Sequence, residues 1–90
     1  NQQKAKAKYL EAAKLYETKQ YESSLAAIKK VELLLGKSNA RLSSLRIKVL
    51  FAGNKHNEAR KEYIRFKTYK KNKSLAEEMK VVFNKIEKAF

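Results

Sequence analysis

Shifted by 35 positions, the chain aligns with itself, and the positions that agree are ones a helix pair would bury. Ala5 falls on Ala40, Lys6 on Arg41, Leu10 on Leu45, Leu15 on Leu50 and Tyr16 on Phe51. Farther along, Tyr21 falls on His56, Ser24 on Ala59, Ile28 on Tyr63 and Val31 on Phe66. A period in the mid-thirties, filled by two helices, is the mark of a helical repeat in which each hairpin buries its apolar face on a neighbour.

Helical spacing of apolar residues runs the length of the chain. It predicts helices over about 3–18, 21–35, 39–53, 56–70 and 74 to the end, and no strand. Gly36 is placed to take the left-handed position that ends the second helix, with Ser38 or Asn39 capping the third. Gly53-Asn54 marks the end of the third. Ser74-Leu75-Ala76-Glu77 reads as a capping box, in which serine and glutamate satisfy each other's orphan amides. The last helix carries Leu75, Met79, Val82, Phe83 and Ile86 on one face. Connections this short make consecutive helices antiparallel neighbours.

Ninety residues make one small domain. The chain has no Cys, no Asp and one His, so it has no thiolate for zinc or nucleophilic chemistry and no second group to orient His56 as a base. Two glycines do not make a phosphate-cradling loop. The inventory therefore points away from an enzyme and from any cofactor. The longest apolar runs, such as Val49-Leu50-Phe51-Ala52, are far below the roughly 20 residues a bilayer span needs. Twenty-two Lys and Arg against nine Glu give a net charge of +13, which attracts polyanions and also keeps a surface solvated. The start at Asn1-Gln2-Gln3 is what a removed export signal or a fragment boundary leaves, so an exported protein is mildly favoured.

Tyr21-Glu22-Ser23-Ser24-Leu25 with Ile28 and Val31, and again His56-Asn57-Glu58-Ala59 with Tyr63 and Phe66, resemble the second helix of a tetratricopeptide repeat. Ser24 and Ala59 fall where that family uses alanine for close helix approach. The first helices depart from the pattern: in register, the family's tryptophan and leucine fall on Lys8 and Glu11. The resemblance covers about 5–38 and 40–73, with 74–90 as a capping helix. It implies an all-α fold of antiparallel hairpins stacked as a short right-handed solenoid of five helices. It also implies a non-catalytic module that binds or scaffolds another protein. Separately, the sequence resembles short repeat modules at the start of exported bacterial proteins.

By the tetratricopeptide resemblance, the first helices line a concave groove offering Lys6, Tyr9, Ala13 and Tyr16, then Arg41, Ser44, Lys48 and Phe51. Basic groups beside aromatic faces suit an acidic peptide with apolar anchors. For Tyr16 and Phe51, a place in the core is the competing expectation. The second candidate surface is the basic run of Arg60, Lys61, Arg65, Lys67, Lys70, Lys71 and Lys73, which would hold nucleic acid or another polyanion. On an isolated helix those cations are spread around the axis, and Glu58–Lys61 and Glu62–Arg65 read as surface ion pairs. A homodimer or a structural spacer is the remaining alternative. Asn72-Lys73-Ser74 matches a glycosylation acceptor, a short pattern that Ser74's capping role would explain.

Overall fold

The computed structural model describes residues 2–88, and among them the chain is entirely helix and connecting turn. Five helices follow one another: α1 (Gln2–Glu17), α2 (Tyr21–Leu35), α3 (Ala40–Ala52), α4 (His56–Phe66) and α5 (Lys73–Lys88). They form two compact units, Asn1–Ser38 and Asn39–Phe90.

The first unit is the hairpin of α1 and α2. Helix α2 buries Ser24, Ala27, Ile28 and Val31, the spacing that places four residues on one helical face. Facing them, α1 buries Ala5 and Ala12. Small residues at the contact let the two backbones approach. The Ser24 hydroxyl consequently donates to the Ala12 carbonyl across the pair, at 2.8 Å. Gly36 ends α2 in the left-handed region (φ 73°), as its position in the sequence requires.

The second unit is the hairpin of α3 and α4 with α5 laid against it. Asn39 caps α3, its side-chain oxygen accepting from the Leu42 amide at 2.9 Å. Helix α3 is buried on most of its circumference, including Leu42, Leu45, Ile47, Val49 and Leu50. A helix buried on most sides needs neighbours on more than one side, and within this unit α3 packs on both α4 and α5. Helix α5 contributes Met79 and Ile86 to the core and stacks Phe83 on Tyr63, with ring centroids 4.1 Å apart.

The two hairpin turns, 35 residues apart, share one geometry. Lys19 and Asn54 both take left-handed conformations. The amides of Lys19 and Gln20 donate to the carbonyls of Tyr16 and Leu15, and those of Asn54 and Lys55 to Phe51 and Leu50. Each turn is a Schellman motif, which satisfies helix-end carbonyls as the chain reverses. Even the ring pairs recur, Tyr16 with Tyr21 and Phe51 with His56.

Helix α3 ends at Gly53-Asn54 as expected, Asn54 taking the left-handed conformation while Gly53 keeps a negative φ of −85°. Two expectations are corrected. Helix α4 stops at Phe66 rather than near 70. Its last turn tightens, Thr68 and Tyr69 donating to the carbonyls three residues back, and Lys71 folds over the helix end. Finally, α5 starts at Lys73 with Asn72 as its cap, the Asn72 side-chain oxygen accepting from the Leu75 amide at 2.7 Å. Asparagine caps at least as well as serine, so the helix gains a turn position and Ser74 lies inside it.

Candidate partner-binding surfaces

The residues expected to line a groove lie on two helices, one in each unit. On α1, Lys6 is exposed and Tyr9, Ala13 and Tyr16 are half-buried. Tyr16 leans on Tyr21 across the turn, with centroids 6.3 Å apart. On α3, Arg41 is exposed, but Ser44 is buried and its hydroxyl is spent on the Arg41 carbonyl at 2.7 Å. Lys48 reaches α5, where its ammonium pairs with Glu78. Phe51 is braced by His56 at 5.0 Å. Tyr16 and Phe51 are each half-buried, and each meets a ring of the following helix across its turn.

The basic segment is also divided among tasks. The Lys71 ammonium donates to the carbonyls of Phe66, Lys67 and Tyr69 and sits 5.0 Å from the centre of the Phe66 ring. A lysine at a helix C-terminus meets both the orphan carbonyls and the negative end of the helix dipole. Arg60 pairs with Glu87 on α5 at 3.0 Å, and Lys67 lies over the Tyr63 ring at 5.5 Å. Lys61, Arg65, Lys70 and Lys73 point into solvent.

Burial turns this dispersed charge into a one-sided one. Ala59, Glu62 and Phe66 are buried, and Tyr63 is held on Phe83. These four occupy the inner arc of α4, so Arg60, Lys61 and Arg65 share the outer arc, with Lys67 just beyond the last turn. At its centre stands Ile64, 59% exposed. The sequence alone spreads the cations around the helix axis, because it does not say which side α3 and α5 cover.

Glu62 departs most from expectation. It was expected in a surface pair with Arg65, yet it is buried, and Arg65 approaches it only to 3.8 Å. The Ser43 hydroxyl donates to it at 2.7 Å, and the Arg46 guanidinium stands 3.7 Å away. A signal for this exists in the repeat: Glu62 lies 35 positions after Ala27, a core position of α2. A buried carboxylate needs both a hydrogen bond and a counter-charge, and α3 supplies both.

On α1, the Glu11 carboxyl is held below its ordinary range by the Lys8 ammonium, which donates to it at 2.7 Å, with a smaller contribution from the charge of Lys30. His56 and Glu58 border a shallow open hollow of about 310 Å³ with Asn54, Lys55 and Asn57. A second of about 330 Å³ lies at the end of α2 between Lys29, Leu33, Gly36 and Ser38. Among the described residues no three metal-binding side chains converge, and no helix is long and apolar enough to cross a membrane. No protein-family model, curated protein or solved structure searched gives a match to this chain.

Proposed function

We propose that the chain is a tetratricopeptide-like module that binds another protein and performs no chemistry of its own. The observation that carries this reading is the duplicated hairpin: two helix pairs 35 residues apart share one turn geometry and one aromatic brace. Repeated hairpins of this size present rows of side chains on rigid helices, and such surfaces bind extended or helical polypeptides. On α1, Lys6 and Tyr9 are open to such a partner, and on α3 Arg41 is.

The test is binding of candidate polypeptides against binding of mixed-sequence duplex DNA and RNA, each across a salt series. Protein binding that survives about 0.15 M salt, with nucleic-acid binding lost there, is the expected result. Nucleic-acid binding that persists, with a steep log–log salt slope, overturns it. Sedimentation of the chain alone separates a third outcome: self-association in the absence of any ligand would make it a dimerisation element.

A further inference from the structure

We infer that the outer face of α4 is a docking surface for an acidic polypeptide segment that carries an apolar side chain, a proposal that rests on the protein-binding reading and names its partner. Ile64 is the anchor. It is 59% exposed, with Arg60 and Lys61 one turn before it, Arg65 beside it and Lys67 one turn after. Arg65 holds its side chain 73% in solvent, and Lys61 is likewise exposed. Glu62, the only acidic residue between 59 and 73, is turned inward and buried; Arg60 pairs with Glu87 of α5, while Lys61, Arg65 and Lys67 are exposed on this face.

A single exposed isoleucine is ordinary on a protein surface. Its setting is what discriminates here. A binding surface with a desolvated apolar centre and a charged rim is how proteins recognise proteins, and the sign of this rim selects carboxylates. A phosphodiester backbone would dehydrate Ile64 without gaining from it. Nucleic-acid strands would also want free aromatic faces, yet Tyr63 is covered by Phe83 on one side and approached by Lys67. Membrane insertion needs a broad apolar face, and that of α4 is turned inward on Ala59 and Phe66. Charge complementarity and the lone branched anchor therefore fit an acidic segment whose apolar residue covers Ile64 while its carboxylates meet Lys61, Arg65 and Lys67.

Fluorescence anisotropy with a labelled peptide of repeating Glu-Glu-Leu-Glu units tests this, with a Glu-Glu-Ser-Glu peptide and a mixed-sequence duplex DNA as comparators at about 0.15 M salt. The leucine peptide is expected to bind most tightly. Ile64→Ser should weaken it roughly five- to tenfold, the effect of losing that buried apolar area, and should leave the serine peptide unchanged. Lys61→Glu with Lys67→Glu should weaken both peptides. All three substitutions are at exposed positions, and helical circular dichroism checks that the fold persists. Equal binding of the two peptides, or indifference to Ile64→Ser, overturns the proposal. If the leucine peptide binds but responds instead to Lys6→Glu and Arg41→Glu, the α4 surface is wrong and the protein-binding reading stands. If only the DNA binds, both fall.

Discussion

Lys19 and Asn54, 35 positions apart, hold the same left-handed backbone, with φ of 64° and 63°. Neither is glycine, so each turn carries a conformational cost at the residue where the helix ends and the chain reverses. The cost differs, because asparagine tolerates this region better than a residue with a long side chain. Lys19→Gly should raise stability to urea by about 0.5–1 kcal/mol, and Asn54→Gly by less. Equal effects would mean that the two turns are not governed by backbone strain.

The Ser43–Glu62 hydrogen bond is the polar contact most exposed to mutation, because both partners are buried. Glu62→Ala leaves the Ser43 hydroxyl without its acceptor and removes the carboxylate beside Arg46. It should cost about 2–3 kcal/mol in chemical denaturation. Ser43→Ala should cost about 1–2 kcal/mol, since the carboxylate keeps Arg46 nearby. The double variant should be less unstable than the two losses added together, and simple additivity would show that the pair is not coupled.

Lys71 closes the end of α4 by donating to three carbonyls. Its replacement by methionine keeps most of the apolar stem but removes the donors and the charge. Lys71→Met should lower stability by about 1–2 kcal/mol, whereas Lys70→Met, at an exposed neighbour, should change it by less than about 0.5 kcal/mol. Amide exchange should accelerate at Lys67 to Tyr69 in the first variant alone.

Glu11 supplies a pH-dependent contact. Because the Lys8 hydrogen bond and charge hold its carboxyl below the ordinary 4.5, the folded chain binds this proton more weakly than the unfolded chain does. The resulting stabilisation is present above the ordinary carboxylate range and is lost as pH falls through the lowered value. Carboxyl carbon shifts followed by NMR should place the Glu11 midpoint below the ordinary glutamate range, and Lys8→Gln should move it upward. A midpoint that Lys8→Gln leaves unchanged would remove the pair from the account.

Much of the architecture is legible in the residue pattern, for identifiable reasons. Spacings of three and four residues predict all five helices, because each element buries one face and that face repeats with the helix. The 35-residue offset predicts two hairpins of one design, and the turns at Lys19 and Asn54 share one hydrogen-bond geometry. Gly36 announces the end of α2 because its left-handed backbone suits a residue without a side chain.

What the pattern does not decide depends on contacts between residues distant in sequence. Lys71 reads as one more surface cation until the chain folds back and brings it over the end of α4. Glu62 reads as half of a surface ion pair, since no local rule says that α3 will bring Ser43 and Arg46 to it. The basic face of α4 is legible only in composition. Which arc carries the charge is set by where α3 and α5 pack, because burial removes one side of the helix from solvent and leaves its cations, with Ile64 among them, on the other. Period and composition thus determine which segments are helical and that they pair, whereas only tertiary packing decides which polar groups are buried and which charges face a partner.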